Sequence, residues 1–397
     1  MMTPEIEQLL NDLRNALTTG APPPQYDTDQ LREALTAEAA SAYALGERLS
    51  ALLPAATPAP VPTPPEPAPP AQGGTGREVW LYMPNMRADM NAVWTPAGLP
   101  RPDRLVTFTK VGYSSDWDYN TNTWADPTAR PYPADIIRLN KFNQPGEIKY
   151  AMRWEPQDLL EDLAAGKHNA WTTRYLEQLA DADLPEPIDA CPAHEMNATW
   201  GAPINTQAER NAVRATPRNQ RSFPYAVRRA QPGSFQPHPQ DVQWFADWVG
   251  HLRDEITRTG ANMTLTFNPN VAWDPDGNPT QIDYRPIYAA TADLWDAVGL
   301  DGYNGPWLDP EHQTGLEVFD VDLTNMRAMT DKPIGIYETG TKPGVNGWWT
   351  GFVNDLNAYH PYVNVLTQFE VTKEAVWNVA LDPARAADFI NAVSIWR

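Results

Sequence analysis

The sequence has little cysteine, little basic charge and no long apolar run. The 397 residues include a single cysteine, Cys191, so no intrachain disulfide can form, and Cys191 is expected to be a small buried hydrophobic residue. No stretch approaches the roughly 18 consecutive apolar residues that a membrane-spanning helix needs. The N-terminus begins with acidic residues instead of a basic region before an apolar run, so no secretory signal peptide is predicted.

The charge balance is strongly acidic. Lysine and arginine together number 30 against 50 aspartates and glutamates, which gives a formal net charge of -20. Proteins that bind nucleic acid draw their affinity from clustered lysines and arginines on one face. We therefore expect no nucleic-acid partner, and we expect no membrane partner either.

A proline-rich segment divides the chain. Residues 54–76 hold a run of prolines followed by a glycine cluster, which is typical of an extended spacer with a flexible joint. The sequence therefore predicts three parts: a helical segment over residues 1–53, a linker over 54–76 and a catalytic domain over 77–397.

The segment before the linker has the spacing of amphipathic helices. Apolar residues recur at intervals of three and four from Ile6 to Ala16, and a heptad pattern runs from Leu31 to Leu52. Helices this short are marginally stable alone. Two alternatives remain open: residues 1–53 form a coiled-coil-like stalk that oligomerises or docks, or they fold as a self-contained helical hairpin.

From residue 77 onward, short apolar runs alternate with helical stretches, the pattern of parallel strands joined by crossover helices. The eight candidate strands are EVWLYM from Glu78, RLVTFTKV from Arg104, EIKYAM from Glu147, PIDACPAH from Pro187, NMTLTF from Asn262, AVGLDGY from Ala297, KPIGIY from Lys332 and NVLTQF from Asn364. The clearest helical stretches are residues 171–182, 241–259, 318–329 and 383–396. Eight strands close a barrel, so the predicted fold class is α/β, a (β/α)8 TIM barrel preceded by the helical segment and the linker.

Two glutamates stand at the carboxyl ends of predicted strands, where barrel enzymes have their active sites. Glu195 follows the fourth run in PAHEMNATW, and Glu338 follows the seventh in PIGIYETGT. Strands four and seven lie on opposite sides of an eight-strand barrel, so both side chains are expected to face each other across its mouth. Two carboxyl groups about 5–5.5 Å apart are what retaining glycoside cleavage requires, one as nucleophile and one as acid/base.

A zinc site is the alternative chemistry for the HEMN motif. The zinc-protease motif HExxH would need a second histidine where this chain has Ala198. The sequence therefore predicts no metal and no organic cofactor.

Six segments occur in order through the predicted barrel: MRWEPQDLLEDLAAGKHNAW, HEMNATWGAP, ANMTLTFNPN, WDAVGLDGYNGPW, KPIGIYETG and QFEVTKEAVW. Through these segments, and above all through HEMN combined with the ETG after strand seven, the chain resembles glycoside hydrolase family 26. Members of that family include endo-β-mannanases and related β-glucanases. The resemblance covers roughly residues 78–395.

The resemblance implies roles for individual residues. Glu195 would be the acid/base and Glu338 the nucleophile. His194 would orient the acid/base, Tyr303 would donate a hydrogen bond to the nucleophile, and Trp377 would form the floor under the reacting sugar. The structural alternative for the last three is that they are ordinary core residues.

Tryptophans after strands four to seven are expected to lie in loops and to offer flat surfaces for sugar rings. They are Trp200, Trp273, Trp307, Trp348 and Trp349. Of these, Trp200 and Trp307 are predicted to bind substrate.

The chain departs from the family pattern after HEMN. Ala198 and Thr199 stand where a glycine and an acidic or polar residue are more usual, and the segment from Asn205 to Pro239 is longer than typical. This insertion carries six arginines: Arg210, Arg214, Arg218, Arg221, Arg228 and Arg229. Because it follows strand four it is expected over the catalytic face, where the arginines either bind an anionic glycan or form a solvated surface.

The expected function is a retaining, endo-acting glycoside hydrolase that cleaves a β-linked polysaccharide: β-mannan, a related β-glucan or a bacterial surface glycan. The alternative is a non-catalytic, carbohydrate-binding virion protein on the same barrel. The stalk-like segment and the missing signal suit a bacteriophage tail protein located in the virion, whereas a cellular enzyme would be cytoplasmic. The expected partners are the polysaccharide and, through residues 1–53, other copies of the chain or a virion.

Overall fold

The computed structural model describes residues 76–82, 93–111, 117–118, 123–124, 149–182, 184, 186–198, 206–216, 221, 224–305, 314–371 and 377–397. The helical segment predicted over 1–53 lies outside the described residues, and so does the predicted linker up to residue 75.

Within the described ranges, eight parallel strands form a closed barrel. They are β1 (Glu78–Tyr82), β2 (Arg104–Val111), β3 (Lys149–Pro156), β4 (Ile188–Pro192), β5 (Met263–Phe267), β6 (Ala297–Asn304), β7 (Ile334–Thr341) and β8 (Val363–Phe369). Each strand pairs with its neighbours in chain order, and β1 closes the barrel against β8. A short antiparallel pair, Trp117–Asp118 with Thr123–Trp124, follows β2. The predicted barrel is confirmed.

The strands end differently from the prediction at the barrel mouth. β3 continues to Pro156 and β7 to Thr341, whereas β4 already ends at Pro192. Polar residues occupy the upper parts of β3 and β7, so the apolar pattern stops before the hydrogen-bonded strand does. As a consequence Glu338 lies within β7 and not after it.

Eight α-helices lie in the part of the chain that the structure describes. They are α1 (Leu160–Ala164), α2 (Asn169–Asp181), α3 (Gln207–Ala215), α4 (Pro239–Thr259), α5 (Arg285–Thr291), α6 (Gly315–Met329), α7 (Trp348–Tyr359) and α8 (Pro383–Trp396). Short 3-10 helices span Ala292–Leu294 and Val379–Leu381. Among the described helices, none is both long enough and apolar enough to cross a membrane.

A small apolar layer fills the inside of the barrel. It consists of Trp80, Val106, Ala151, Tyr337 and Val365, with Tyr82 packed against it. Gly299 on β6 makes room for the Tyr337 ring, because a Cβ at this glycine would lie 2.0 Å from the ring. This layer fills the barrel interior, so the inward side chains nearer the carboxyl ends of the strands form the base of the mouth.

The helices cover the outside of the barrel through aromatic contacts. Trp154 of β3 packs edge-on against Tyr175 and Trp171 of α2, with ring centroids 5.4 and 6.2 Å away. Because side chains alternate along a strand, an outward Trp154 turns Arg153 and Glu155 toward the barrel interior. Cys191 on β4 is buried, as expected.

Candidate active site

Three carboxylates meet at the carboxyl ends of β4, β6 and β7. Glu195, Asp301 and Glu338 are all buried, and each presents an oxygen that lies within 4.8 Å of the oxygens of the other two. The fold thus brings together the two glutamates that were expected to face each other, and it adds an aspartate. Oxygens within this limit agree with the short separation of roughly 5–5.5 Å between the two carboxyl groups of retaining enzymes.

Glu195 stands on a tight turn with an unusual backbone. Ala193 has a φ of 52° and Glu195 a φ of 55°, in the left-handed region that residues with a Cβ rarely adopt. Each such residue costs about 1–3 kcal/mol and persists only where its surroundings hold it. Here the Ala193 N–H donates to the Trp154 carbonyl (3.0 Å), and the Glu195 N–H donates to the Asn268 carbonyl (2.8 Å).

Glu338 reaches the mouth through a β-bulge. Leu300 on β6 pairs with Ile336, but the next residue, Asp301, pairs with Glu338, so Tyr337 is an extra residue in β7. The pairing of β7 with β8 shifts at the same place. A bulge re-aims side chains, and this one allows both Tyr337 and Glu338 to contribute to the barrel interior.

Tyr303 orients the Glu338 carboxylate. Its hydroxyl donates a hydrogen bond of 2.6 Å to Glu338 Oε2. Tyr303 and Asp301 lie two residues apart on β6, and alternation therefore turns both toward the barrel axis. The structure thus places Tyr303 against the carboxylate to which the sequence resemblance assigns it.

Asp301 is fully buried beside the two glutamates and accepts a hydrogen bond of 2.7 Å from Asn268 Nδ2. Burial raises the pKa of Asp301 well above its ordinary value, and the negative charges of Glu338 and Glu195 raise it further. The Arg153 charge and the hydrogen bond from Asn268 oppose that shift in pKa. Three carboxylates this close cannot all be ionised, and burial together with the two neighbouring charges makes Asp301 favour its protonated form.

A buried arginine provides positive charge deeper in the barrel. The Arg153 guanidinium carbon lies 4.9 Å from the centre of the Tyr337 ring and 5.8 Å from that of Trp80. Its Nη1 is 3.8 Å from Asp189 Oδ1. Arg153 thus offsets part of the negative charge that the acidic residues of the barrel interior carry.

An unbroken series of aromatic rings, here called the aromatic wall, lies along one side of the mouth. Its members are Trp377, Tyr303, Phe369, Tyr82, Phe108 and His194, and successive ring centroids are 4.7–5.6 Å apart. Tyr82, Phe108 and Tyr303 are partly exposed, so a ligand can contact them. The wall extends from Tyr303, which binds Glu338, to His194, which precedes Glu195. Aromatic linings beside a few convergent polar groups are typical of ligand sites.

The other predicted site residues have different surroundings. His194 is buried, and its carbonyl accepts a hydrogen bond of 3.2 Å from the Tyr225 hydroxyl. Trp377 is only 1% exposed and packs against Tyr303, so it supports that ring from behind. The predicted substrate-binding residues Trp200 and Trp307 lie outside the described residues.

The prediction that Trp348 and Trp349 lie in a loop is wrong. Both are buried in α7, where Trp349 packs edge-on against Phe389 of α8. Trp273 does follow β5, but it is buried and the Arg285 guanidinium covers its ring at 4.6 Å. These tryptophans therefore belong to the protein core and not to a sugar-stacking surface.

The arginines of the insertion are largely neutralised by this chain. Arg210 pairs with Glu161, Arg214 with Glu161 and Asp162, Arg221 with Asp158, and Arg228 with Asp241. The Arg229 guanidinium lies 4.9 Å over the Phe235 ring, and Arg218 lies outside the described residues. The four paired arginines therefore neither form a binding site for an anionic glycan nor lie on a solvated surface. They join the insertion to α1, α4 and the β3–α1 loop.

The three carboxylates are also the group that could hold a divalent cation, because their oxygens are close enough to share one. Hard cations such as Ca²⁺ and Mg²⁺ favour carboxylate ligands, usually six or more oxygens for Ca²⁺. A chelator distinguishes this use of the carboxylates from direct acid/base work.

Sequence motifs alone do not point to Asp301 or Tyr82. The alternation of side chains along a strand does indicate both residues, because alternate strand residues share a face. Asp301 shares the face of Tyr303 on β6, and Tyr82 shares the face of the inward Trp80 on β1. The bulge that turns Glu338 inward has no signal in the sequence, because the residues around it have the pattern of an uninterrupted strand.

No protein-family model matches the chain, and no curated protein matches it. Its fold is similar to that of solved structures with low sequence identity. A β-mannanase of glycoside hydrolase family 26 from Bacteroides ovatus is 13% identical, with a TM-score of 0.46 over 79% of this chain and 87% of that chain.

A modular endo-β-1,4-mannanase of the same family from Cellulomonas fimi is 16% identical, with a TM-score of 0.47 over 80% of this chain and 70% of that chain. Xylanase B from Clostridium stercorarium is 9% identical, with a TM-score of 0.41 over 74% and 86%. At these identities the likeness concerns the fold alone, and activity has to be argued from the site.

Proposed function

We propose that this chain is a retaining glycoside hydrolase that cleaves a β-linked polysaccharide internally, with Glu338 as nucleophile and Glu195 as acid/base. The observation that carries the proposal is the meeting of two glutamates, one on the turn after β4 and one on β7, with oxygens within 4.8 Å. The aromatic wall beside the two glutamates supports a sugar as the ligand, because aromatic side chains can pack against the apolar faces of a sugar ring.

In the first step Glu338 attacks the anomeric carbon as the bond to the leaving oxygen breaks. Glu195 gives its proton to that oxygen, so the departing sugar leaves as a neutral alcohol. Tyr303 holds Glu338 Oε2 at 2.6 Å and thereby fixes the plane of the attacking carboxylate. The product of this step is a glycosyl ester of Glu338 and an ionised Glu195.

In the second step Glu195 acts as a base. It removes a proton from water as the water oxygen attacks the anomeric carbon, and the ester bond to Glu338 breaks. Two inversions at the same carbon give net retention. Both carboxylates return to their starting protonation states.

The charge of the site favours a neutral glycan. Glu195, Asp301 and Glu338 make the mouth acidic, and four arginines of the nearby insertion already pair with acidic residues of this chain. A uronate or phosphate group on the substrate would be repelled at the mouth. The motif resemblance to family 26 puts β-mannan and related β-glucans first among neutral candidates.

Residues 1–53 have a separate role in this proposal: they assemble copies of the chain or dock it on a virion tail, as their heptad spacing suggests. Light scattering on the intact chain should give a larger mass than on a Leu45→Asp variant of the heptad pattern. Equal masses would remove self-assembly, and absence of the chain from purified particles by mass spectrometry would remove the virion location.

The function is tested by incubating the intact protein with β-mannan, mixed-linkage β-glucan, xylan and a polyuronate, and measuring new reducing ends. We expect hydrolysis of at least one neutral β-linked glycan, with the β-anomer appearing first in the proton NMR spectrum, and no loss of activity with a chelator. Initial release of the α-anomer would contradict the double-displacement mechanism. Chelator-sensitive activity would assign the carboxylates to a cation.

Asp301→Asn should change the pH dependence of hydrolysis. The raised pKa of Asp301 means that this carboxyl ionises at a higher pH than an ordinary aspartate, and its ionisation adds a negative charge beside Glu338 and Glu195. Activity of the wild type therefore falls on the alkaline side, and the neutral amide should move that limb of the kcat/KM profile to higher pH. At neutral pH we expect a loss of no more than about tenfold, the value of roughly one hydrogen bond. An unchanged alkaline limb would show that Asp301 does not titrate there.

A further inference from the structure

Asn197, two residues after Glu195, has no surface exposure, and its side chain is fully engaged with backbone groups. Its Nδ2 donates to the carbonyls of Asn270 (3.1 Å) and Ile282 (3.0 Å), and its Oδ1 accepts from the Asn270 N–H (2.8 Å). The Asn197 carbonyl in turn accepts from the Ile282 N–H at 3.3 Å. One buried amide thus joins the Glu195 turn to two other segments.

The Asn197 amide replaces a strand ladder where the strand itself has ended. β4 stops at Pro192, and the left-handed residues Ala193 and Glu195 turn the chain away from the sheet. The side-chain amide then pairs with both the N–H and the carbonyl of Asn270, as a peptide unit of a neighbouring strand would. The end of the turn is therefore held by hydrogen bonds of the Asn197 side chain in addition to those of the turn backbone.

Asn270 leads directly to a second carboxylate of the site. It forms an isolated parallel bridge with Asp301. On either side of it, the Asp301 N–H donates to the Pro269 carbonyl (3.0 Å) and the Val271 N–H donates to the Asp301 carbonyl (2.9 Å). Hydrogen bonds from Asn197 to Asn270, and from the two neighbours of Asn270 to the Asp301 backbone, thus connect the turn to Asp301. A carboxylate oxygen of Asp301 lies within 4.8 Å of oxygens of Glu195 and Glu338.

The outer side of the turn is held by the insertion after β4. The Val227 N–H donates to the Met196 carbonyl at 2.8 Å, and the Tyr225 hydroxyl donates to the His194 carbonyl. These bonds support the turn from outside, whereas Asn197 is the side chain that ties it to the strands carrying the other carboxylates.

We propose that Asn197 is a positioning residue that sets the distance of Glu195 from Asp301 and Glu338. The inference rests on the proposed function, since it concerns the delivery of the Glu195 proton to a leaving oxygen. Without the amide, the end of the turn loses its three side-chain hydrogen bonds, and the backbone bonds from the Glu195 N–H to the Asn268 carbonyl and from the Ile282 N–H to the Asn197 carbonyl remain to hold it on that side. A displacement of about 1 Å at a reacting group can cost about 100-fold in rate.

The test uses the intact protein, two substrates and a matched control. A polysaccharide has a poor leaving group that needs the Glu195 proton, whereas an aryl β-glycoside with a strongly acidic phenol does not. We expect Asn197→Ala to lower kcat/KM by about 100-fold on the polysaccharide and to change it little on the activated glycoside. The control is Asn262→Ala, which removes a bond of 2.8 Å from Asn262 Nδ2 to the Leu184 carbonyl near the opposite end of β5 and should affect both substrates alike.

A second variant keeps the test decisive should Asn197→Ala fold poorly. Asn197→Asp retains the acceptor for the Asn270 N–H but places an oxygen against the carbonyls of Asn270 and Ile282, and protonation of the new carboxyl restores one donor. Its selective loss on the polysaccharide should therefore diminish as the pH is lowered. Equal losses on the two substrates at every pH would overturn the inference. An inactive wild type would instead remove the proposed function, and the inference with it.

Discussion

Glu338→Gln is expected to lower kcat/KM on the β-linked polysaccharide by about 10⁴-fold or more, the order of loss seen when a nucleophile is removed. The amide has the shape of the carboxylate and can still accept the hydrogen bond of Tyr303, but it cannot form the glycosyl ester. The measurement is the rate of new reducing ends at equal protein concentration.

The same variant should be at least as stable as the wild type. Glu338 is one of three carboxylates with oxygens within 4.8 Å, and replacing one of them with a neutral group removes like-charge repulsion. Glu177→Gln, at a half-exposed position on α2, is the control and should leave both activity and stability unchanged. Turnover by Glu338→Gln near the wild-type rate would reject the nucleophile assignment.

Arg221→Ala is expected to lower the free energy of unfolding by about 3 kcal/mol. The Arg221 guanidinium donates to Asp158 Oδ1 (2.6 Å) and to the carbonyls of Gln157 (2.7 Å), Arg214 (2.8 Å) and Thr216 (2.9 Å). Asp158 is fully buried, so the variant leaves its carboxylate without its arginine partner. Breaking a buried pair costs about 3–5 kcal/mol, and the low end applies because other donors remain.

Those other donors are His168, whose Nε2 lies 2.5 Å from Asp158 Oδ2, and Lys167, whose Nζ lies 3.3 Å from Asp158 Oδ1. Chemical denaturation of Arg221→Ala is compared with that of Arg258→Ala, a surface arginine whose ion pairs should matter much less. Unchanged stability together with lost binding of an anionic glycan would return Arg221 to the role of a ligand-binding residue.

The barrel could be predicted from the sequence because its strands are marked by apolar runs, and the barrel topology follows from the alternation of strands and helices. The two glutamates could be located for the same reason, since each stands near the end of such a run. Asp301 could have been predicted as well, because it shares the face of Tyr303 on β6.

What could not be predicted depends on contacts between distant residues. The tryptophans at the start of α7 read as a loop because Gly347, the residue before the helix, offers no capping side chain. Asp388 of α8 supplies the cap instead, accepting from the Trp349 N–H (2.9 Å) and the Thr350 N–H (3.1 Å). In the same way, the arginines of the insertion show their partners only once α1 and α4 are folded beside them.

The central claim is that Glu338 becomes covalently attached to the sugar, and trapping tests it most directly. A 2-deoxy-2-fluoro β-glycoside with a good leaving group slows both steps but leaves formation of the ester faster than its hydrolysis. Intact-protein mass spectrometry should show one added fluoroglycosyl unit, and peptide mapping should place it on Glu338, with no label on Glu338→Gln. A label on Glu195 or Asp301, or no label on an enzyme that hydrolyses the parent glycan, would contradict the account.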